Sequence, residues 1–197
     1  MNVTFSDFFG IQSKTVERYG AFDISLLADL PLFVDPFLLF NSKKSEYQQL
    51  HQEMIKYLRF LREKAESQQL DDGLITAWYR FPEIQQNWLG FSVAGNQGHG
   101  LGKSFAQSLH VNLGKLFTSF GEEKITKGSH LEKLCLIREG VGRDNISDFT
   151  NNLIFAFLLT YTQTFAQKFI AAPLRRTFVV RKTRFNGCTP KSVISVR

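Results

Sequence analysis

Cysteine, the residue that builds disulfide frameworks and many zinc sites, is scarce in this sequence. Only 2 of the 197 residues are cysteines, and Cys135 and Cys188 lie far apart, outside any CxxC pair. A disulfide scaffold needs several cysteines and a zinc site needs closely spaced ligands, so we expect two free thiols in a reducing cytoplasm. The 2 Met and 2 Trp are outnumbered by 20 Phe, which indicates a core of packed aromatic rings.

From the sequence we expect neither a secretory signal nor a membrane-spanning segment. Its N-terminus has no basic stretch followed by a long apolar run. A membrane span needs about 18 nearly continuous apolar residues. The uncharged stretch 149–167 is interrupted by Thr150, Asn151, Asn152, Thr160, Thr162, Gln163, Thr164 and Gln167. We therefore expect a cytoplasmic protein without a membrane partner, and its oligomeric state stays open.

Positive charge is concentrated at the end of the chain. The net charge is +6, and residues 171–197 contain seven basic residues and no acidic one. Subtracting this +7 from +6 leaves −1 for residues 1–170, which we predict to form one domain. The tail 171–197 is strand-like, and we expect it to be a truncated continuation. It either binds the phosphate backbone of nucleic acid or forms a solvated edge that resists aggregation.

The spacing of apolar residues predicts an α+β fold. From Ser45 to Ser67, apolar side chains recur every three or four residues along one helix face. Two further helices are predicted near 103–120 and 148–170, the last of them apolar nearly all round and therefore central. Short strands are predicted near 74–81, 88–93, 133–138 and 177–185, so that three main helices would pack with a small sheet.

A glycine-rich loop before the second helix is a candidate phosphate-binding site. Gly98, Gly100 and Gly102 lead into Lys103, and backbone N–H groups at a helix start favour an anion. The phosphate-loop motif is not met, because Gln97 stands where its first glycine belongs. The alternative is a surface loop that uses glycine for its backbone freedom.

The polar turn after the apolar run 134–137 is the second candidate site. Asp144 and Asp148 lie four residues apart, and Glu139 comes just before them. Carboxylates at such a turn can hold Mg²⁺, which prefers oxygen ligands and keeps water positions for a phosphate substrate. Arg143 could contact that phosphate. We therefore predict Asp144, Asp148 and Glu139 as catalytic residues, with Asp144 and Asp148 as metal ligands.

Two observations count against a nuclease. A restriction-type nuclease core carries an Asp/Glu-x-Lys triplet after its first aspartate, and no such triplet follows Asp148. Asp144 can instead belong to a turn, and Asp148 or Thr150 can cap a helix. The chemistry of this turn therefore stays open at the level of the sequence.

Three stretches of the chain have a family resemblance. Together, LPLFVDPFLLF, WLGFSVAGNQGHGLGKSF and GVGRDNISDFTNNLI resemble an uncharacterised prokaryotic protein family, one carried near phage-defence genes. The resemblance covers Asp23 to Ile170 and implies no particular activity and no catalytic residues.

Two functions from different classes follow from these observations. The first is a bacterial cytoplasmic protein that handles nucleic acid or another phosphate-bearing ligand. It would act as a metal-dependent nuclease that uses the carboxylates of the polar turn. In that function the glycine loop and Lys103 would contact phosphate, and the tail 171–197 would contact nucleic acid. The second is a non-catalytic interaction or regulatory module without an active site.

Overall fold

A computed structural model of the chain describes residues 3–28, 30–67, 70–84, 87, 89, 101–116, 139–180 and 191–196. Within these residues the protein is mostly helical. The helices are α1 (Phe5–Phe9), α2 (Ser13–Tyr19), α3 (Pro36–Phe40), α4 (Ser45–Ser67), α5 (Asp72–Tyr79), α6 (Lys103–Leu116), α7 (Arg143–Leu153) and α8 (Phe155–Phe169). A short 3-10 helix (Ala172–Leu174) leads into the strands β1 (Arg175–Val180) and β2 (Lys191–Val196).

The predicted α+β fold is wrong, because helices dominate the described residues and the two strands pair only with each other. The stretch 74–81, predicted as a strand, forms most of α5 instead. The physical reason is a helix cap: the Asp71 side chain accepts a hydrogen bond of 2.8 Å from the Leu74 N–H. Asp71 therefore caps a helix, and the aromatic run that follows it is helical instead of extended.

The three predicted helices have different outcomes. The helix 45–67 is confirmed with the bounds of α4. The helix near 103–120 is confirmed as far as Leu116, and 117–120 lie outside the described residues. The helix near 148–170 is two helices, because α7 starts at Arg143 and the chain leaves helical geometry at Ile154 (φ −94°, ψ 10°).

Only some of the predicted strands lie within the described residues. Strand β1 overlaps the strand predicted near 177–185 and begins two residues earlier. The strand predicted near 133–138 lies outside the described residues, as does that near 88–93 apart from Leu89. In the described residues no helix is both long and apolar enough to cross a membrane.

The chain divides into two compact units, and the first comprises 1–32, 85–98 and 154–197. Its core is a cluster of buried apolar side chains from α1, α2 and α8, on which further aromatic rings pack. Tyr19 and Tyr161 hold α2 and α8 together, because each hydroxyl donates to the other residue's carbonyl oxygen, at 2.9 and 2.7 Å. Strands β1 and β2 form an antiparallel pair, in register from Arg175↔Val196 to Val180↔Lys191, that packs along α8.

The second unit comprises 33–84 and 99–153. Helix α4 is its centre and contacts α3, α6 and α7, while α5 packs on α6. Leu58 and Leu61 of α4 are fully buried, as are Leu109 and Leu113 of α6. This apolar core positions α7, which carries the candidate site.

Candidate functional site

Helix α7 is buried on both of its faces. Every side chain from Ile146 to Leu153 is buried, although a helix at a protein surface normally leaves its polar face in water. At about 100° per residue, Ile146, Phe149 and Leu153 lie on one side. The opposite side, spanning about 140°, carries the residues that we call the polar arc: Asp144, Ser147, Asp148, Asn151 and Asn152.

The apolar side of α7 is anchored in the core of the second unit. Phe149 is fully buried, and its ring centroid lies 4.4 Å from that of Phe81. Burial of such aromatic side chains stabilises a fold strongly. The polar arc is therefore held in place by contacts on the far side of its own helix.

Helix α7 begins earlier than the sequence indicated. Gly140 has a φ of 82°, a backbone conformation that glycine adopts readily, and the Gly142 N–H donates to Asn145 Oδ1 at 3.0 Å. Because the helix starts at Arg143, Asp148 lies in its second turn and caps nothing. The alternative in which Asp148 or Thr150 caps the helix is wrong.

Hydrogen bonds hold the polar arc against two neighbouring segments of the second unit. Ser147 Oγ accepts from the Val34 N–H at 2.9 Å. Asn152 Nδ2 donates to the carbonyl oxygen of Pro82 at 2.6 Å and to that of Asp148 at 2.8 Å. The arc is thus fixed between the chain near Val34 and the chain after Phe81.

The carboxyl group of Asp148 is the electrostatic centre of the arc. Asp148 is 7% exposed, and burial, together with the nearby negative charges of Asp144 and Glu83, raises its pKa to about 7. Burial also raises the pKa of Asp144, although that residue lies exposed in the first turn of α7. At neutral pH, Asp148 therefore carries a proton in an appreciable fraction of molecules, unlike an ordinary aspartate.

Glu83 is the acidic neighbour that sequence reasoning missed. It precedes α7 by about sixty residues in the printed sequence, yet its charge contributes to the raised pKa of Asp148. The nearest structural cause is the Asn152–Pro82 hydrogen bond, which brings this segment to the arc. No spacing rule within the sequence connects two such distant positions.

Glu139 and Arg143, the other residues predicted at the polar turn, are not members of the polar arc. Glu139 is exposed in the turn that precedes α7, and among the described residues the acids that act on Asp148 are Asp144 and Glu83. Arg143 is the first residue of α7. Its guanidinium carbon lies 5.8 Å from the centroid of the Phe33 ring, a cation–π distance.

The predicted phosphate loop is described only at its end. Gly98 and Gly100 lie outside the described residues. Gly102 directly precedes α6, whose first residue is Lys103. The Lys103 ammonium is paired with Asp72 at 2.7 Å, so this charge already has a partner at the exposed start of α5.

A metal ion at the arc would rest on few protein carboxylates. Nowhere in the described residues do three His, Cys, Asp or Glu side chains come close enough to hold a metal ion. This does not conflict with the chemistry of Mg²⁺, which is commonly bound through one or two carboxylates and keeps several waters. Asp144 and Asp148 lie one helical turn apart on α7.

No curated protein and no solved structure matches the chain. One family matches residues 10–191, which is nearly the whole chain, and its description is a domain of unknown function. This confirms the resemblance to an uncharacterised family: the chain belongs to the family DUF8370.

Proposed function

We propose that the protein handles nucleic acid or another phosphate-bearing ligand, and that the polar arc of α7 is the site of its chemistry. The observation that carries the proposal is the buried carboxyl group of Asp148, beside the charges of Asp144 and Glu83. Burying a carboxyl group beside like charges costs stability. Perturbed acids of this kind are concentrated at functional sites.

A divalent cation is the chemistry that best matches this charge distribution. A cation held by Asp144 and Asp148 would offset their repulsion and take the place of the Asp148 proton. Mg²⁺ at this position would supply an activated water and polarise a phosphoryl oxygen. Arg143, at the start of α7, would contact the phosphate. The reaction class is metal-dependent hydrolysis of a phosphodiester.

The basic end of the chain favours nucleic acid as the phosphate-bearing ligand. Residues 171–197 carry seven basic side chains and no acidic one, and Arg176 of β1 is exposed. Binding through such residues releases counterions and therefore falls steeply with salt. A bacterial, cytoplasmic setting near phage-defence genes stays a prediction that rests on the sequence resemblance.

The test is hydrolysis by the purified chain at pH 8, with Mg²⁺ or Mn²⁺, of single-stranded DNA, duplex DNA, RNA and a chromogenic phosphodiester. We expect metal-dependent activity that is lost in Asp144→Asn and in Asp148→Asn, because each removes a charged oxygen ligand. Glu63→Gln is the matched control, since it removes an exposed carboxylate from α4 of the same unit. Activity that persists in Asp148→Asn would remove the arc from the mechanism.

The second candidate function, a non-catalytic interaction module, is favoured by exposed apolar side chains. Phe37 and Leu38 of α3 are 42% and 67% exposed, and exposed apolar side chains are frequent at protein-binding surfaces. In that case the chain hydrolyses none of the four substrates. Replacing Leu38 with Ser, rather than replacing Asp148, would then abolish capture of a partner protein.

A further inference from the structure

The positive charge of the chain belongs to one of its two compact units. Residues 1–32, 85–98 and 154–197, which form the first unit, contain ten basic and four acidic residues, and the second unit contains fourteen of each. The net charge of +6 is therefore carried by the first unit, while the second unit is neutral. A unit with a strong excess of basic residues attracts polyanions.

The strand pair of the first unit leaves one of its strands open to solvent. We call this pair, β1 with β2, the ribbon. Helix α8 packs along β2, whereas Arg176 and Thr177 of β1 are both exposed. Because successive residues of a strand point to opposite faces, the exposure of two neighbours shows that β1 is open on both faces at this point. The β1 side of the ribbon is thus available to a ligand.

Basic side chains lie where the ribbon begins. The guanidinium Nη1 of Arg175 donates to the carbonyl oxygen of Gln167 at 3.4 Å, so the start of β1 lies against the last turn of α8, which carries Lys168. Lys168 and Arg176 are exposed, and within the described part of the chain neither makes an ion pair. Their charges are therefore available to an anionic group.

The sequence repeats this positive charge at the opposite end of the ribbon. The register pairs Val180 with Lys191 there, and residues 181–190 join the two strands. These ten residues include three basic ones and no acidic one: Arg181, Lys182 and Arg184. From Arg176 to Val180 the strand is about 14 Å long, at about 3.4 Å per residue, and the positions between them are uncharged. The ribbon therefore has a neutral middle between two basic ends.

Duplex DNA is the polyanion that matches this distribution of charge. The major groove of B-form DNA is about 12 Å wide and admits a two-stranded ribbon. A ribbon that crosses the groove, with basic ends about 14 Å apart, can place positive charge at the phosphate backbones on both sides of it. The major groove of A-form RNA is too deep and narrow for such contacts, and a single strand has no groove.

We propose that the ribbon binds the major groove of duplex DNA through its β1 side, with Lys168 and Arg176 at the phosphates of one backbone. The proposal rests on the proposed function in that the ligand is a nucleic acid. It names duplex DNA as the class of that ligand. It also adds a residue of α8, Lys168, that lies outside the basic tail 171–197.

The experiment measures binding of the full chain to a labelled DNA duplex of about 20 base pairs by fluorescence anisotropy, with a chelator present, from about 50 to about 200 mM salt. Lys168→Gln combined with Arg176→Gln should lower the affinity about tenfold and the slope of log K against log salt by about 2, because each phosphate contact contributes about 0.9. The control is Lys56→Gln combined with Arg59→Gln, which removes the same exposed charge from α4 and should bind as the wild type does.

A second pair of variants tests the ribbon without removing a basic residue. Thr177→Glu adds a negative charge to the exposed strand β1, where it would repel the phosphates, so we expect much weaker binding. Thr162→Glu adds the same charge at an exposed position of α8 and should weaken binding clearly less. Equal losses would mean that only the total charge of the unit matters, and the ribbon would be excluded as the binding element.

The outcomes separate this inference from the proposed function. A wild type that hydrolyses phosphodiesters but binds no duplex, or binds it equally well as the Lys168 and Arg176 double variant, overturns the inference and leaves the polar arc as the site. Ribbon-dependent binding without any hydrolysis supports the inference and overturns the catalytic proposal. Tighter binding to single-stranded DNA or to vesicles of anionic phospholipid than to the duplex overturns the choice of ligand. Should Arg176→Gln disturb the ribbon, Lys168→Gln alone must still lower the salt slope by about 1.

Discussion

Helices α7 and α8 follow each other in the chain and show opposite uses of burial. In the first unit, α8 buries Phe165 and Ala166 in an apolar cluster with Phe9 and Val16. In the second unit, α7 buries a row of polar side chains, with the carboxyl group of Asp148 near its middle. The side chains that the two helices bury are therefore of opposite chemistry.

In this chain, one helix contributes mainly to stability and the other carries the candidate site. Removing apolar rings from water stabilises the first unit. Removing a carboxyl group from water costs free energy unless the group is paired or neutralised. Natural proteins keep such costly groups at functional sites and offset them elsewhere. The comparison predicts that matched substitutions on the two helices change the free energy of unfolding in opposite directions.

The largest expected effect comes from the apolar helix. Phe165 is 6% exposed, and its ring contacts those of Phe5, Tyr19 and Phe169. Phe165→Ala should lower the free energy of unfolding by about 3–5 kcal/mol, because it leaves a cavity in a close-packed cluster. Urea denaturation followed by circular dichroism measures the change.

The control for this prediction lies on the same helix. Phe157 of α8 is only half-buried, so Phe157→Ala should cost clearly less than Phe165→Ala. Equal losses in the free energy of unfolding at the two positions would show that the cluster around Phe165 is not the stabilising centre of the first unit. Helix α8 could then no longer serve as the apolar, stabilising helix in the comparison with α7.

The second prediction concerns Asp148 and has the opposite sign. The folded chain holds this proton up to a pKa of about 7, whereas the unfolded chain releases it near pH 4. Between these values the folded state binds more protons, so the free energy of unfolding falls as pH rises from about 4 to about 7 and is level above. At pH 8, Asp148→Asn should therefore stabilise the protein by about 2–4 kcal/mol, at roughly 1.4 kcal/mol per pKa unit.

The measurement is urea denaturation of both proteins at pH 5 and pH 8. The gain from Asp148→Asn should be much smaller at pH 5. His51 makes an opposite contribution in both proteins: burial lowers its pKa, so charging it costs stability as pH falls below about 6.5. A gain that is equal at both pH values would mean that Asp148 is ionised in the folded state, as an exposed aspartate would be.

The parts of the fold that the sequence predicts well depend on local repetition. Helix α4 has the predicted bounds, since its apolar spacing persists over several turns and tertiary packing is not needed to recognise it. Helix α5 was missed because its aromatic run resembles a strand. The cap at Asp71 is what favours a helix in this segment. A continuous apolar run does not distinguish a buried helix from a buried strand.

The candidate site could be predicted only as far as one helix contains it. Asp144 and Asp148 are four residues apart, and this spacing alone places them on one face. The burial of Asp148 could not be read from the sequence, because a row of polar residues ordinarily marks a solvated face. Glu83 and the Ser147–Val34 contact depend on chain segments far apart in the sequence, which only tertiary packing brings together.

The smallest effect is expected at Lys103, the basic residue of the predicted phosphate loop. Its ammonium group pairs with Asp72 at 2.7 Å, but the two side chains are 56% and 67% exposed, and exposed ion pairs contribute little to stability. Lys103→Ala should leave the urea midpoint unchanged within error, as should Asp72→Asn. Because both variants remove exposed charge from the second unit, they also show what a charge change costs when no burial is involved. A shift comparable to that of Asp148→Asn would mean that charge rather than burial sets the behaviour of α7, and the contrast between the two helices would have to be explained in another way.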